Sequence, residues 1–341
     1  MGRITSKDVA RVAGVSRTTV SLVLNGVVGA RIADQTRDRV LAVAGNLGYV
    51  PNALAQSLKT RRSRLIGLVV PSITNPFYPA IAQGVEDLAA KRGYSVFFCN
   101  SYRDAAKERD YALALCQRQV DGVIFAGVQH GRELAQELLR REIAVVLFDR
   151  VVDMAVDTVT VDNHTGSSLA VEHLLRKGRS RIAFLSGPLR IRNRRERLEG
   201  YERTLAAAGL EPAPELVREG RLEREEQGGI YELELGRALT RELLFSGVEF
   251  DAIFAVNDMT AIGAIEALRE GGRSVPEEVS VVGFDNLTLS ALIEPPLTTV
   301  SQPQYEMGLA AAELLFARLA EPSRPPEWKV FRPELIVRAS G

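Results

Sequence analysis

From Leu65 to Phe284 the chain repeats one pattern, a short apolar run rich in branched residues followed by a stretch with helical spacing of its apolar positions. The clearest runs are Leu65–Val70, Ser95–Phe98, Gly122–Ala126, Ala144–Phe148, Arg181–Ser186, Ala252–Val256 and Ser280–Phe284. A strand buried on both faces has no polar face to present, so near-continuous apolar strands alternating with helices build parallel sheets covered by helices. The 277 residues from Leu65 onward exceed a usual single core. Two α/β subdomains are therefore expected.

The first 64 residues lack this pattern and differ in charge. The whole chain balances 43 basic against 43 acidic residues. Residues 1–64, however, hold 11 Lys and Arg against Asp8, Asp34 and Asp38, a net charge of +8, which leaves −8 for the rest. A basic head on an acidic body points to phosphate contacts confined to the head, because Lys and Arg gain by displacing condensed counterions.

Local signals divide the head into three helices. Thr5-Ser6-Lys7-Asp8 begins like a capping box, and Gly14 suits the tight turn that ends a short helix. Val15-Ser16 opens a second helix, Arg17 to Asn25, with Val20, Val23 and Leu24 as its inward stripe. A third follows Ala33-Asp34-Gln35-Thr36, with Val40, Leu41, Val43, Ala44 and Leu47 placed to cover the first two. This is a helix-turn-helix, whose second helix fits the DNA major groove. Arg17 suits guanine O6 and N7 and Thr18 a base edge or thymine methyl, while Ser16, Thr19, Ser21 and Asn25 suit phosphates. Thr5, at the start of the first helix, completes the DNA-facing set.

The chain resembles the lactose-repressor-like (LacI/GalR) family of bacterial transcription regulators. The likeness is carried by Asp8-Val9-Ala10, Ala13-Gly14-Val15-Ser16, Thr19-Val20-Ser21, Asn25, Thr36-Arg37, Gly48-Tyr49-Val50-Pro51-Asn52 and Ala55-Gln56-Ser57-Leu58. Leu22 stands where the family usually has Arg, so a base contact common in relatives is missing. The resemblance implies a hinge helix after Pro51-Asn52 that folds on DNA as a pair and inserts Leu58 into the minor groove, with Asn52 and Ala55 beside it. Such a wedge kinks the duplex and lets more protein touch it.

The implied architecture is an N-terminal all-α helix-turn-helix DNA-binding domain (1–50), a hinge helix and linker (51–64), and an α/β periplasmic-binding-protein-like core (65–341). The core has two parallel-sheet subdomains, about 65–162 with 296–322 and about 163–295 with 323–341. The chain is expected to cross between them near Asp162-Asn163, Pro295–Thr299 and Pro322–Pro326.

Strand ends are where open parallel sheets present ligand contacts. Asn75-Pro76-Phe77-Tyr78, Asp149-Arg150, Asn257-Asp258 and Phe284-Asp285-Asn286 all follow or end strands. Asn75, Asp149, Arg150, Asn257 and Asp285 offer donors and acceptors for hydroxyls, while Phe77 or Tyr78 offers a sugar ring an apolar face. Asn257 and Asp258 equally suit the start of a helix. The resemblance assigns effector contacts to these positions and to Arg195, and it implies a carbohydrate effector. Two departures leave a phosphorylated or acidic effector open: Arg221-Leu222-Glu223 stands where relatives often carry an aromatic, and Arg190–Arg197 is unusually basic.

The expected partners are a palindromic double-stranded DNA operator, a small molecule, and a second copy of the chain, as a homodimer or a higher assembly. One recognition helix reads few base pairs, so a palindrome needs two. Apolar stripes on Phe77–Leu88 and Tyr111–Gln117 are candidates for the dimer face or for internal core.

An enzyme is the first rival class. The chain has no Gly-x-Gly and no phosphate-binding Gly-Lys-Ser/Thr loop. Its three histidines lack zinc spacing, and Ser186 in Leu-Ser-Gly-Pro lacks a nucleophile elbow, so neither catalytic residues, metal nor cofactor is expected. A solute-binding protein or sugar-modifying enzyme on the same core is the alternative. MGRITSKDVARVAG has no apolar signal core, and no apolar run reaches membrane-spanning length. A cytoplasmic, nucleoid-associated protein without membrane contact is expected, with Cys99 and Cys116 as reduced thiols.

Overall fold

The computed structural model describes residues 4–24, 32–50, 62–102, 104–126, 131–149, 154–220 and 231–341. These form two compact units, residues 1–63 and 64–341.

The small unit is built of α1 (Ser6–Ala13), α2 (Arg17–Leu24) and α3 (Asp34–Asn46). Asp8 accepts the amide and the hydroxyl of Thr5 at 3.0 and 2.7 Å, which fixes the start of α1. Gly14 closes the helix at φ 65°, a left-handed conformation that glycine adopts without strain. Val9, Ala10, Ala13, Val20, Val23, Val40 and Ala44 make the core. Leu41, expected in the inward stripe of α3, is 47% exposed, because the buried phase of that helix runs through Val40 and Ala44.

The large unit holds two six-stranded sheets. The first has the order β11-β5-β4-β3-β1-β2, from β1 (Leu65–Val70), β2 (Ser95–Asn100), β3 (Gly122–Ala126), β4 (Ala144–Phe148), β5 (Asp157–Val161) and β11 (Trp328–Phe331). The second has the order β12-β10-β9-β8-β6-β7, from β6 (Ile182–Ser186), β7 (Val217–Glu219), β8 (Ala252–Ala255), β9 (Ser280–Asp285), β10 (Thr298–Ser301) and β12 (Glu334–Ile336). Every pairing is parallel except β10 with β12.

Among the described residues, eight helices cover the sheets: α4 (Phe77–Lys91), α5 (Ala105–Gln117), α6 (Gly131–Arg140), α7 (Asn163–Arg176), α8 (Arg192–Ala207), α9 (Tyr231–Ser246), α10 (Asp258–Glu270) and α11 (Gln304–Ala320). Helix pairs in both subdomains meet backbone to backbone at glycine. A Cβ on Gly84 would strike the carbonyl of Tyr305 and one on Gly308 that of Ile81, locking α4 to α11. Gly236 meets Thr260 and Gly263 meets Leu233 in the same way between α9 and α10. Phe77, Tyr78, Ile81 and Val85 are buried, so the Phe77–Leu88 stripe is internal core.

The chain crosses between subdomains three times. The first lies at Asp162, where the Asp side chain caps α7 through the amide of Thr165 at 3.0 Å. The other two lie later in the chain than the prolines suggested. Thr298–Ser301 pairs with β9 and belongs to the second sheet, so the crossing falls at Gln302-Pro303. Trp328–Phe331 pairs with β5 and belongs to the first sheet, which moves the last crossing to Arg332-Pro333. The expected boundaries at 296 and 323 are corrected accordingly.

Among the described residues, no helix is long and apolar enough to cross a membrane. Cys99 is buried and Cys116 half-buried, both as free thiols, and burial pushes the Cys99 thiol up to about 11.

Candidate functional site

Two of the expected strand-end acids carry a backbone signature. Asp149 follows β4 at φ 54°, and Asp285 ends β9 at φ 128° with Asn286 behind it at 56°. Non-glycine residues seldom adopt such angles, and surrounding structure must hold them there. These acids come from different sheets and line one cleft. The first subdomain contributes Asn75, Phe77, Tyr78 and Asp149. The second contributes Ile191, Asn193, Arg194, Arg197, Val256, Asn257 and Asp285, and Gln302 enters from the crossing.

Several of the polar groups are held by neighbours. The Asn75 side chain accepts the Phe77 amide at its Oδ1, 3.0 Å away, and donates from Nδ2 to Glu232 Oε1 at 3.3 Å. Phe77 stands edge-on to Tyr78 and to Phe148, with ring centres 5.3 and 6.4 Å apart. Asn193 Nδ2 reaches across the cleft to Asp149 Oδ2 at 2.5 Å. Asp285 Oδ1 accepts from Gln302 Nε2 at 2.6 Å, and its main-chain carbonyl accepts from the Gln304 amide. Burial raises the Asp285 carboxyl well above the ordinary carboxylate range, against the pull of Arg197.

Arg197 is the buried cation at the base. Its Nε donates to Asn163 Oδ1 at 2.9 Å, its Nη1 to the Val256 carbonyl at 2.6 Å, and the guanidinium lies 3.6 Å from the Phe284 ring centre. Desolvation lowers its pKa, with Asp285 and then Asp149 opposing that shift from a distance. Tyr201 anchors the same helix through its hydroxyl, 2.8 Å from the Ile182 carbonyl.

Arg195 is a correction. Its side chain is 54% exposed and lies 4.0 Å from Glu199, on the outside of α8, away from the cleft. Counting back from the buried Tyr201 by four and then three residues gives Arg197 and Arg194, and Arg195 falls about 200° from Arg197 on a 3.6-residue helix. That phase was available in the sequence. Asn193 and Gln302 were missed as well, and nothing in their local sequence marks them as cleft residues. Arg150 lies outside the described residues. Asn257 both lines the cleft and caps α10, its Oδ1 accepting the Thr260 amide at 2.9 Å. Asp258 is fully buried and structural. Its carboxylate accepts from Leu287 N at 2.8 Å, Ser290 Oγ at 2.5 Å and Thr299 Oγ1 at 2.5 Å, which fixes the loop after β9.

In the small unit, Ser16 Oγ caps α2 by accepting the Thr19 amide at 3.0 Å. Ser16, Arg17 and Thr18 are exposed, whereas Thr19 and Ser21 are half-buried beside Leu22. Thr5 is exposed and engaged with Asp8. Asn25, Asn52, Ala55 and Leu58 lie outside the described residues. Among the described residues, no three His, Cys, Asp or Glu side chains gather as a metal site.

Residues 5–52 match the model for bacterial regulatory proteins of the lacI family, and residues 171–341 match that for a periplasmic binding protein-like domain. The chain is 35% identical over 341 residues to the HTH-type transcriptional repressor PurR of Aliivibrio fischeri (strain MJ11), covering 98% of each. It is also similar to the transcriptional regulator CelR in complex with cellobiose, at 34% identity and a TM-score of 0.75 over 99% of this chain and 100% of that one. The lac repressor dimer bound to operator and the anti-inducer ONPF matches with a TM-score of 0.86 at 27% identity, over 99% of each chain.

Proposed function

We propose, from the premise that this chain belongs to the lacI family of bacterial regulatory proteins, that it is a repressor binding a palindromic operator as a homodimer and changing its DNA affinity when a carbohydrate-like molecule occupies the core cleft. It is a DNA-binding transcription regulator and not an enzyme. The observation that carries the reading is the cleft itself. Donors and acceptors from both subdomains converge there, so a ligand that touches both sides favours one relative orientation over another.

The head supports the DNA half of the reading. Ser16, Arg17 and Thr18 project from the start of α2, where a recognition helix meets base edges. Asn52, Ala55 and Leu58 enter as the hinge contacts that the family likeness assigns. A DNA partner locates the protein in the cytoplasm, at the nucleoid.

For the dimer, the large unit offers Phe98 on edge strand β2, 42% exposed, and Leu113 on α5, 37% exposed. The loop after β9 adds Leu289 and Leu292, at 43% and 75%. Edge strands and exposed apolar clusters are where chains associate. For the ligand, Asp149, Asp285 and Asn257 suit hydroxyls, Phe77 and Tyr78 suit an apolar ring face, and the similar CelR holds cellobiose.

The test is selection of genomic fragments by the purified full chain at near-physiological salt, where phosphate attraction alone is weak. A recovered palindrome protected as one dimer footprint is the expected result. Binding erased by salt, with no sequence in common among the fragments, overturns the reading.

A further inference from the structure

Two hydrogen bonds join the subdomains across the cleft, and their donors run in opposite directions. Asn193 on α8 donates to Asp149 after β4, and Asn75 ahead of α4 donates to Glu232 in the first turn of α9. The second pair is the more enclosed, with Asn75 5% exposed and Glu232 4%. A buried carboxylate that loses a donor is left poorly solvated, so this contact is costly to break while the cleft stays shut.

Strand order gives the pair leverage. The crossings at Asp162 and Arg332-Pro333 follow β5 and β11 at one edge of the first sheet, whereas Asn75 follows β1, three strands in from β5. In the second sheet β10 and β12 carry the crossings, and α9 begins after β7, the strand at the opposite edge. Asn75 and Glu232 therefore meet on the side of the cleft away from the crossings. Strands lie about 4.8 Å apart, which puts the end of β1 roughly 14 Å from that of β5, while Asp149 follows the adjacent β4. Rotation about the crossings parts Asn75 from Glu232 further than it parts Asp149 from Asn193. Asn75 is also fixed on its own side, because its Oδ1 holds the Phe77 amide and so turns Nδ2 toward α9.

Resting on the reading that a small molecule in the cleft sets the subdomain orientation, we propose that Asn75 and Glu232 are a positioning pair, whose hydrogen bond latches the core closed and sets how much ligand is needed to change operator affinity. Both partners belong to the chain, so the latch favours the closed arrangement equally with and without ligand. A ligand completes a closure that the latch already favours, and its apparent affinity scales with the fraction of cores that are closed. Asn75 thus acts on the ligand through Glu232 rather than by touching it.

The experiment exchanges donor and acceptor. Asn75→Asp keeps an acceptor for the Phe77 amide but turns a carboxylate oxygen toward Glu232, and Glu232→Gln in the same chain supplies an amide that donates back. The measurement is the affinity of the full chain for the operator recovered by genomic selection, with and without a low-molecular-mass extract of the source bacterium. Asn75→Asp should need roughly tenfold more extract for an equal shift, the loss of about one hydrogen bond to a charged group. Its extract-free operator affinity should move opposite to the direction in which extract moves the parent chain, and adding Glu232→Gln should restore both. Asn75→Ser, too short to reach Glu232, should act in the same direction without placing two carboxylates together, and Glu232→Gln should not rescue it. With a responsive parent, failure of Glu232→Gln to restore Asn75→Asp makes Asn75 a ligand contact, which overturns the latch and leaves the cleft reading intact. Unchanged extract-free affinity in both Asn75 variants overturns it equally. A parent chain indifferent to the extract overturns the cleft reading, and the latch falls with it.

Discussion

Asp285 combines a left-handed backbone, full burial and a hydrogen bond from the crossing residue Gln302. A residue held so firmly at a strand end is expected to define the ligand's position. Asp285→Ala should lower ligand affinity roughly 10- to 100-fold, hydrogen bonds to such groups being worth about 1.5–3 kcal/mol, with operator binding retained. A ligand titration followed by a DNA mobility shift measures both, and an unchanged response removes Asp285 from the site. His173 gives a pH prediction. It is 5% exposed on α7, and burial lowers its pKa below the ordinary 6.5. The fold holds it neutral while the unfolded chain takes a proton below about pH 6.5, so its contribution is complete above that value and is lost as pH falls toward the lower folded pKa. Denaturant midpoints at pH 7.5 and 5.5 should differ less in His173→Gln than in the parent chain. The strand-end acids were readable from sequence because they follow apolar runs. Arg197 was not singled out, because four neighbouring arginines look alike until Tyr201 sets the helical phase.

Helices α9 and α10 touch at Gly236 and Gly263, and ion pairs Arg237–Glu266 and Arg241–Glu270, at 2.5 and 2.7 Å, run along the same seam. The glycines decide its stability, because exposed ion pairs are worth little. Gly263→Ala should cost about 3 kcal/mol in urea unfolding, since the added methyl meets the rigid Leu233 carbonyl. Gly45→Ala should do the reverse in the small unit. Nothing lies within 4 Å of a Cβ there and the residue is helical, so a gain of about 0.5–1 kcal/mol is expected. The apolar strands were readable because both faces are buried. Strands β5, β7, β10, β11 and β12 were not, being short or mixing Thr, Asp and charged residues. In β5, buried Thr158 satisfies its hydroxyl on the Val156 carbonyl at 3.0 Å, which lets a polar residue occupy an interior strand.

At the scale of the molecule, the charge split and the helix-turn-helix spacing made the head readable, and strand alternation made the core so. The crossings were misplaced because prolines at 295–296 and 322–326 read as boundaries when they flank strands that complete the sheets. Two predictions address the assembly. Leu292→Asp places a charge on the apolar loop after β9 and should shift the protein toward monomers in sedimentation, with operator affinity falling alongside. Leu58→Ala should weaken operator binding by about tenfold and leave ligand binding unaltered, because the lost wedge bears only on the bent duplex. Unchanged affinity in that variant removes Leu58 from the minor groove.

The three crossings have a further consequence for inheritance. Neither subdomain of the core is a continuous stretch of chain: the first takes its last helix and strand from residues after Gln302, and the second takes β12 from after Arg332. No single cut of the gene yields half a sensor, and a recombination point inside the core mixes both halves at once. Residues 1–63, in contrast, form one contiguous unit. On the proposed function, exchange of segments can therefore re-address the protein to new operators in one step, whereas a new ligand must be reached by substitutions at scattered strand ends.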